Sequence, residues 1–427
     1  MASSTAFTSD PDAYRAIAIT IASENVFGLL GEAGTPRSTA FRPPLYPWLL
    51  SFCTSGNALA FLRVAFLHVA LAAVMSSATF LGARRLLAEL SPGRLPDRLA
   101  ALAAGLAVLD PILIRQSTEL MTETLAATLA AIVIVLWTSL PGCSMKMRSA
   151  ANSLAIGVTL ALAYLCRPTF LVWAVLMVFA ILVIHWSRKR FVAGASFAML
   201  MALPVALAVT AWTIRNDRAI GHPVWATTHG GYTLLLANND LFYDYLDSGS
   251  WGEPWQADAF FLAHAHRYNG DPREAAFWRQ DWTGVEATAQ SIDEYGDDRL
   301  CYDAAKATIK RRPTEFVWSC VVRVARLWSP FPHQVRGRSQ VAMVAVGGFY
   351  LAVSIAVMVA IVRWNRRLLM RKWWAIGMLV FTLSGVHAVY WSNLRMRAPA
   401  IPGLMILAVA SCLPKSATTA ESGSVRA

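Results

Sequence analysis

The sequence predicts an all-α polytopic membrane protein. Of its 427 residues, 56% are hydrophobic and only 15% are charged, and the mean hydropathy is +0.45. A soluble chain of this length would form two or three domains and carry about 25% charged residues. Apolar runs recur along the chain, and short basic loops separate them. The shortage of charge and the repeated apolar runs therefore favour an integral membrane protein.

The apolar runs predict a bundle of about nine transmembrane helices. They cover approximately 61–83, 98–114, 120–140, 151–166, 169–186, 192–213, 340–362, 373–392 and 398–413. Several are shorter than the roughly 20 residues that cross a bilayer, so their ends are approximate.

The net charge of +12 comes from basic residues in loops on one side of this bundle. The clusters are Arg84, Arg85, Arg94 and Arg98, then Lys146 and Arg148, then Arg188, Lys189 and Arg190, and finally Arg363, Arg366, Arg367, Arg371 and Lys372. This is the positive-inside pattern of a bacterial cytoplasmic (inner) membrane protein and not a nucleic-acid-binding stripe. The polar segments between the other helix ends are then extracytoplasmic.

The same map divides the chain into five parts. They are an outer loop with interfacial helices (1–60), an N-terminal bundle (61–213), an extracytoplasmic domain (214–339), C-terminal membrane helices (340–413) and a cytoplasmic tail (414–427). The extracytoplasmic domain is expected to be small and mostly helical, because an amphipathic pattern follows its polar first part. A proline at position 313 is expected to divide that pattern into two helices.

The cysteines and histidines predict no metal site. Six cysteines are scattered without a C-x-x-C pair, at positions 53, 143, 166, 301, 320 and 412. Cys301 and Cys320 share the large outer segment and could form a disulfide, but two unpaired thiols are favoured. His264 and His266 do not face each other on a helix, so they are a weak ligand pair. No cofactor is predicted, although a divalent cation is left open.

The first sixty residues contain the acidic group that we single out. Asp10 and Asp12 flank Pro11, just before Tyr14. Asp10 could cap a helix that begins at the proline and lies on the membrane. Acidic groups at the mouth of a membrane bundle are costly, so Asp10 could instead be a base that takes a proton from a hydroxyl.

A rigid aromatic turn follows at residues 41–47, with the sequence Phe-Arg-Pro-Pro-Leu-Tyr-Pro. Its prolines restrict the backbone to extended conformations. Arg42 offers a bidentate fork suited to a phosphate, and Tyr46 lies in the same turn. An ordinary interfacial loop is the alternative.

Further charges are predicted on the outer side. Glu119 and Glu123 are spaced to share one helix face, where they could cap the helix or orient an acceptor or Asp10. Arg167, Arg395 and Arg397 depart from the positive-inside bias, which favours an anionic ligand over simple headgroup anchoring.

A weaker signal lies in the extracytoplasmic segment. A Gly-Gly pair precedes Tyr232, and Asn238 and Asn239 follow. The glycines permit close backbone approach, and the amides suit sugar hydroxyls.

Taken in order, these motifs resemble a known family. The series is Asp-x-x-x-Tyr, Arg-Pro-Pro-Leu-Tyr-Pro, Thr-Glu after an outer turn, Arg-Pro-Thr, Trp-Thr-x-Arg-Asn, Gly-Gly-Tyr-x-Leu-Leu-x-x-Asn and Arg-x-Arg-x-Pro, over about residues 10–410. It resembles the GT-C superfamily of polyprenyl-phosphate-sugar-dependent glycosyltransferases, and is most similar to the RgtA/B/C/D-like and aminoarabinose or mannosyl transferase branch.

The resemblance implies roles for several residues. Asp10, four residues before Tyr14, matches the catalytic carboxylate, with Asp12 as second choice, and Glu123 matches the second acidic position. Arg42 matches the residue that contacts the lipid-linked phosphate. Arg395 and Arg397 match basic residues near the last outer turn. Family members carry a membrane helix before the catalytic aspartate, whereas only residues 1–9 precede Asp10, so a missing first helix is expected.

The implied function is an inverting transfer of a hexosyl or pentosyl group from a polyprenyl-phosphate carrier to an acceptor hydroxyl on a lipid, glycan or protein. The active site would lie on the extracytoplasmic face, in contact with membrane lipids and without nucleic acid. One alternative is a transporter or flippase for lipid-linked sugars, which would require broken helices and charges near mid-membrane. The other is a catalytically degenerate membrane scaffold.

Overall fold

The computed structural model describes residues 7, 10, 12–31, 34–56, 58–140, 147–249, 254–289, 292–333 and 339–414. In this part of the chain the elements are eighteen α-helices, two 3-10 helices and two small antiparallel hairpins. The prediction of an all-α polytopic membrane protein is confirmed. Five helices are long and apolar enough to cross a membrane, and shorter apolar helices pack between them.

The N-terminal segment builds a compact cap on one end of the bundle. Its elements are α1 (Tyr14–Glu24), β1 (Gly28–Leu30), β2 (Pro36–Ser38), α2 (Leu45–Ser51), β3 (Thr54–Ser55) and β4 (Ala58–Leu59). Strand β1 pairs with β2, so that Leu29 faces Arg37, and β3 pairs with β4. A Cβ at Gly28 would lie 2.3 Å from the Arg37 carbonyl oxygen, so this hairpin requires glycine there.

Ten helices and one 3-10 turn form the bundle. They are α3 (Phe61–Leu90), α4 (Leu95–Val108), α5 (Pro111–Ser117), α6 (Glu123–Thr138), α7 (Met147–Cys166), α8 (Phe170–Trp186), α9 (Phe191–Ile220), α16 (Gln340–Leu368), a 3-10 turn (Arg371–Trp373), α17 (Trp374–Val389) and α18 (Ile401–Ala410). A 3-10 helix (Leu394–Ala400) connects the last two helices. The small residues Ala126, Ala127 and Ala130 are buried on α6, which packs against α3 and α7.

The outer faces of the long helices are apolar and exposed, as lipid contact requires. Leu62, Phe66 and Val69 are at least 66% exposed on α3, and Val341 is 80% exposed on α16. In a soluble protein such a surface would aggregate. Its continuity over several helices therefore supports a membrane location for this bundle.

The segment between α9 and α16 folds into six further helices with their own aromatic core. They are α10 (Gly230–Ala237), α11 (Asp240–Ser248), α12 (Asp258–Ala265), α13 (Ala275–Arg279), α14 (Glu294–Arg311) and α15 (Pro313–Trp328). The rings of Phe260 and Trp278 stack 5.7 Å apart in this core. The predicted division at Pro313 is confirmed, because α14 ends two residues earlier and the proline begins α15.

Three local predictions were wrong. The apolar run 98–114 is not one helix, because α4 ends at Val108 and Asp110 caps the separate helix α5. The turn at residues 41–47 is not extended throughout, since α2 begins at Leu45 and accepts Pro47 in its first turn, where no backbone donor is required. Helix α1 begins at Tyr14 rather than at Pro11, which lies outside the described residues.

Helix α1 also does not present its apolar face to lipid. Tyr14, Ile17 and Ala18 are at most 5% exposed, and the helix packs against α2. The amphipathic pattern in this segment reflects burial against the protein. Helix α1 thus holds the residues before it against the bundle.

Candidate functional site

The backbone before α1 is anchored by the carboxylate of Asp10. Its Oδ2 accepts a hydrogen bond from the backbone N–H of Ala16 at 3.2 Å, and its carbonyl accepts from Ala13. The structural alternative of a helix cap is therefore partly realised, although Ala13 occupies the N-cap position. The second carboxylate oxygen, Oδ1, is buried and has no hydrogen-bond partner among the described residues.

Asp12 and Arg42 form an ion pair beside this carboxylate. Asp12 Oδ1 lies 2.7 Å from Arg42 Nη2, and Arg42 Nε donates to the Asp12 carbonyl at 2.8 Å. The guanidinium also lies 4.4 Å from the centre of the Phe41 ring. Arg42 thus ties the turn after β2 to the start of α1, and a phosphate would have to share it with Asp12.

Tyr14 and Tyr46 are buried beneath this pair. Their rings meet edge to face at 5.2 Å, and the Tyr46 hydroxyl lies 2.9 Å from Nε2 of His68 on α3. The other ring nitrogen of His68 lies 2.7 Å from the carbonyl of Ser117. That nitrogen must carry the hydrogen, so Nε2 accepts from Tyr46. Burial raises the pKa of Tyr14, which stays protonated.

Glu123 is the centre of the charged cluster at the same end of the bundle. Its side chain is 1% exposed, and Oε1 lies 2.7 Å from Arg167 Nη2 and 3.1 Å from Arg395 Nε. Arg167 Nε also donates to the Thr122 hydroxyl at 2.7 Å. Three segments distant in sequence, the start of α6, the α7–α8 turn and the last 3-10 helix, therefore meet at one carboxylate.

Both groups lie at the same end of the bundle. The Phe7 N–H donates to the Thr118 carbonyl at 3.0 Å and so ties the segment before α1 to the loop that precedes Glu123. Without a bound ligand, Arg167 and Arg395 share the single carboxylate of Glu123. This end of the bundle therefore presents a carboxylate oxygen of Asp10 without a partner among the described residues and a separate cluster of two guanidinium groups on Glu123. These are the kinds of group that proton abstraction and an anionic leaving group require.

Arg397 lies in a separate cluster. Its side chain is buried against the Tyr350 ring, with its guanidinium carbon 4.0 Å from the ring centre, and Nη1 donates to the Ser329 carbonyl. The Tyr350 hydroxyl donates to Asp110, whose oxygens both lie 2.9 Å away. The structure thus does not bring Arg397 to Glu123.

Glu119 does not share a helix face with Glu123, which corrects the prediction from their spacing. It lies in the loop between α5 and α6, because α6 begins only at Glu123. Its carboxylate pairs with Arg115 at 3.2 Å and accepts from Gln116. This pair is largely exposed, so Glu119 forms a local loop contact.

Asn238 and Asn239 do not present their amides to a ligand, which corrects the second prediction. Both are fully buried. Asn238 donates to the Leu234 and Val389 carbonyls and accepts from Tyr243, whereas Asn239 caps α11 by accepting from Phe242. Their amides are used inside the protein.

Tyr232 is half-buried and remains available. Its ring stacks on His229 at 4.9 Å and meets His264 edge to face at 5.0 Å, and Phe41 covers the other side of His229. His264 and His266 point to different partners, since His264 lies near Cys301 and His266 contacts two backbone carbonyls. A row of aromatic rings therefore leads from Arg42 to helices α10 and α12.

Two supporting residues were missed from the sequence. His68 lies within an apolar run, and an ionisable group there is itself a signal for a specific partner. Glu294 on α14 accepts from the Thr39 hydroxyl at 2.6 Å and from the Ala40 N–H at 2.7 Å. Nothing in its local sequence distinguishes Glu294 from other acidic residues, because its partner lies more than 250 residues away.

The described residues contain no group of three or more His, Cys, Asp or Glu side chains placed to hold a metal. Cys301 and Cys320 are both free thiols in the structure. Cys143 lies outside the described residues. The cations that the described residues place at Glu123 are arginines.

No protein-family model matches the chain, and no curated protein matches it. Among solved structures, it is similar to the archaeal oligosaccharyltransferase AglB from Archaeoglobus fulgidus, in complex with an inhibitory peptide and a dolichol-phosphate. The identity is 12% and the TM-score 0.43, over 93% of this chain and 45% of that chain. It is also similar to ArnT from Cupriavidus metallidurans bound to undecaprenyl phosphate, at 13% identity and a TM-score of 0.38, over 93% of this chain and 73% of that chain.

This chain thus spans less than half the length of the oligosaccharyltransferase. At 12–13% identity and with TM-scores below 0.5, these likenesses leave family and activity to be argued from the residues of the chain itself.

Proposed function

We propose that this protein is an inverting membrane glycosyltransferase of the GT-C type, which moves a sugar from a polyprenyl-phosphate carrier to an acceptor hydroxyl on the outer face of the membrane. The observation that carries the proposal is the buried Oδ1 of Asp10, which has no partner among the described residues, at the same end of the bundle as the cluster in which Glu123 meets Arg167 and Arg395. A base and a cluster of cations are the two parts that such a transfer requires.

Asp10 is the proposed base. The segment around it is held by Arg15, which donates to the Phe7 carbonyl. The Ala13 N–H donates to the Asp10 carbonyl, and the Ala16 N–H donates to Oδ2 of the Asp10 carboxylate. One oxygen therefore positions the carboxylate while the other is left to accept a proton. An acceptor hydroxyl that hydrogen-bonds to Oδ1 would satisfy an atom that is otherwise costly to bury.

Arg395 and Arg167 are proposed to hold the phosphate. Arg395 is the more exposed of the two, at 31% of its side chain, and its Nε lies 3.1 Å from Glu123 Oε1. Glu123 would then orient both guanidinium groups and offset their repulsion before the donor binds. Arg42 is more fully engaged with Asp12, so its proposed role is to position the segment that carries Asp10.

The reaction would be a single displacement. The acceptor O–H bond breaks as its proton passes to Asp10, and the acceptor oxygen bonds to the anomeric carbon. The bond between that carbon and the phosphate oxygen breaks with its electrons, and polyprenyl phosphate leaves against the arginines. Attack from the face opposite the leaving group inverts the configuration.

A lipid-linked donor fits the surroundings of the site. Trp48 on α2, Phe52 directly after it, and Leu62 and Phe66 on α3 are at least 51% exposed at this end of the bundle. They form an apolar flank next to the polar cluster, along which a polyprenyl chain could lie in the bilayer. Because the basic loops are at the opposite end, the positive-inside pattern supports an extracytoplasmic location for this site.

The test is transfer of radiolabelled sugar from polyprenyl-phosphate donors in reconstituted vesicles. Asp10→Asn keeps an oxygen that can accept from Ala16 and removes only the charge, so folding should be unchanged. Transfer should fall by roughly 10²–10⁴-fold, the usual contribution of a general base. Asp97→Asn is the matched control, since Asp97 pairs with Arg84 on the far end of the bundle, with about half of its side chain exposed.

Full transfer by Asp10→Asn would overturn the assignment of the base. If Asp12→Asn loses transfer while Asp10→Asn retains it, the base is Asp12 instead. Failure of the unaltered chain with a panel of donor sugars would overturn the transferase proposal and favour a transporter or a non-catalytic role.

A further inference from the structure

A cavity lies at the end of the bundle opposite to Glu123. It is bounded by the ends of α6, α7, α8 and α9 and by the 3-10 turn (Arg371–Trp373). Helix α6 connects the two sites, because it begins at Glu123 and carries Trp137 in its last turn, so roughly 20 Å of helix separates them. The volume of this cavity is about 40 Å³, and it is open at its mouth.

Two polar atoms in this cavity are buried without a partner. The Ser153 residue is 0% exposed and its hydroxyl makes no hydrogen bond among the described residues, and Nε2 of His185, in a residue that is 6% exposed, is equally unpaired. Nδ1 of His185 lies 3.0 Å from the Ile181 carbonyl and therefore carries a hydrogen, so Nε2 of the neutral ring is an acceptor. A buried polar atom without a partner destabilises the folded protein, and a ligand that hydrogen-bonds to it would offset that cost.

The walls of the cavity are held in place before any ligand binds. The His185 ring packs against Phe197 at 5.4 Å, and a Cβ at Gly194 would lie only 2.5 Å from the His185 Cβ. Trp137 Nε1 donates to the Arg371 carbonyl at 2.8 Å, which fixes the 3-10 turn over the opening. The unpaired atoms are thus a rigid feature and not the result of a loose side chain.

The charge around the opening is positive. Arg371 and Lys372 line the cavity, and Lys372 is already paired with Glu89. Arg371 has no carboxylate within 4 Å in the described part of the chain. Three more arginines, at positions 363, 366 and 367, lie in the last turns of α16, just before the connection to α17. An anion is therefore the expected ligand, and the hydroxyl and the ring acceptor behind it require hydrogen-bonding groups on that anion.

We propose that this cavity binds the glycerol-phosphate headgroup of an anionic phospholipid. Arg371 and Lys372 contact the phosphate oxygens, the headgroup hydroxyls donate to Nε2 of His185, and the Ser153 hydroxyl pairs with one of them. Trp186, Phe191 and Val192 follow His185 in the chain, are at least 50% exposed, and provide an apolar surface for the acyl chains. Basic pockets between membrane helices on the cytoplasmic side are a known mode of headgroup recognition.

A choline headgroup should be rejected. It carries no hydrogen-bond donor for His185, and its quaternary ammonium would meet Arg371 and Lys372. Phosphatidylglycerol should therefore bind at least tenfold more tightly than phosphatidylcholine. This selectivity distinguishes a built site from a general attraction of basic loops to an acidic bilayer.

The experiment uses the full chain, delipidated in detergent micelles, and measures bound lipid by native mass spectrometry while phosphatidylglycerol or phosphatidylcholine is titrated. Arg371→Gln should weaken phosphatidylglycerol binding about tenfold, as expected for the loss of a charge-assisted hydrogen bond. Arg366→Gln is the matched control, since Arg366 is exposed in the last turn of α16 but does not line the cavity. Ser153→Ala should also weaken binding without lowering the melting temperature of the lipid-free protein.

Parallel titrations with glycerol 3-phosphate and inorganic phosphate identify the source of the headgroup. If glycerol 3-phosphate binds as tightly as the lipid and loses affinity in Arg371→Gln, the site is retained but its lipid source is overturned. Equal losses in Arg371→Gln and Arg366→Gln, or equal affinity for the two phospholipids, would overturn the site itself.

Discussion

A substitution of Glu123 is the most direct way to disturb the cluster that it forms with Arg167 and Arg395. Glu123→Gln removes one negative charge from a side chain that is 1% exposed and leaves Arg167 and Arg395 facing each other. The shape of the side chain is kept, so no cavity is created. The variant therefore reports on charge compensation alone.

The expected loss follows from the burial of the three partners. Removing one member of a buried ion pair costs about 3–5 kcal/mol, because the remaining charge stays desolvated. Here the arginine side chains are 15% and 31% exposed, and the glutamine oxygen can still accept from Arg167. We therefore expect a loss near the lower end, about 3 kcal/mol. Glu119→Gln breaks a more exposed pair and should cost less than about 1 kcal/mol.

The assay is denaturant titration of the purified protein in mixed micelles, followed by tryptophan fluorescence. The double variant with Arg395→Gln should be more stable than the sum of the two single losses predicts, because it removes one of the two uncompensated charges. Equal midpoints for Glu123→Gln and Glu119→Gln would refute the placement of Glu123 at the centre of the cluster.

The other predictions concern the helices between α9 and α16. Burial raises the pKa of Asp298 to about 6, so the folded state binds its proton more tightly than the unfolded state does, and stability from this group is present at pH 4 and lost as the pH rises through 6. Asp298→Asn should therefore match the original protein at pH 4 and exceed its stability at pH 7 by on the order of 3 kcal/mol, as measured by hydrogen exchange in α14; a difference that does not change with pH would contradict the shift. Asn238→Ala should cost about 2–3 kcal/mol by leaving Arg323 and Tyr243 without a shared acceptor, while the KM for the donor stays unchanged; a raised KM with normal stability would restore the sugar-contact hypothesis. Gly231→Ala should lower the melting temperature sharply because the new Cβ would lie 2.0 Å from the Asp298 carbonyl oxygen, whereas Gly348→Ala, with open space around it, should have little effect.

The bundle was predictable because its signal is local. A helix that crosses a bilayer requires a run of apolar residues, so a segment such as 191–220 can be recognised from its composition alone. The ends of the helices were less predictable. The run at 98–114 reads as one helix, yet the carboxylate of Asp110 caps a new helix and accepts from Tyr350 on α16. That contact is 240 residues distant, so no local pattern reports it.

The candidate site divides in the same way. Asp10, Glu123 and Arg395 could be selected from the sequence because charges are costly at the ends of membrane helices. The partners of the charged residues could not be predicted. The sequence around Arg42, for example, suits a phosphate as well as it suits Asp12. The buried amides of Asn238 and Asn239 show the converse error, in which polar residues suited to a ligand are used up inside the fold.

The sequence by itself determined that this chain is helical, that it belongs in a membrane, which end of the bundle is basic, and which few charges are costly enough to require a reason. Only the tertiary structure decided which of those charges meet. It placed Arg167 and Arg395 on one carboxylate and Arg397 against the Tyr350 ring, and it left Oδ1 of Asp10 and Nε2 of His185 without partners among the described residues. Composition and periodicity depend on neighbours along the chain, whereas the compensation of a buried charge depends on neighbours in space.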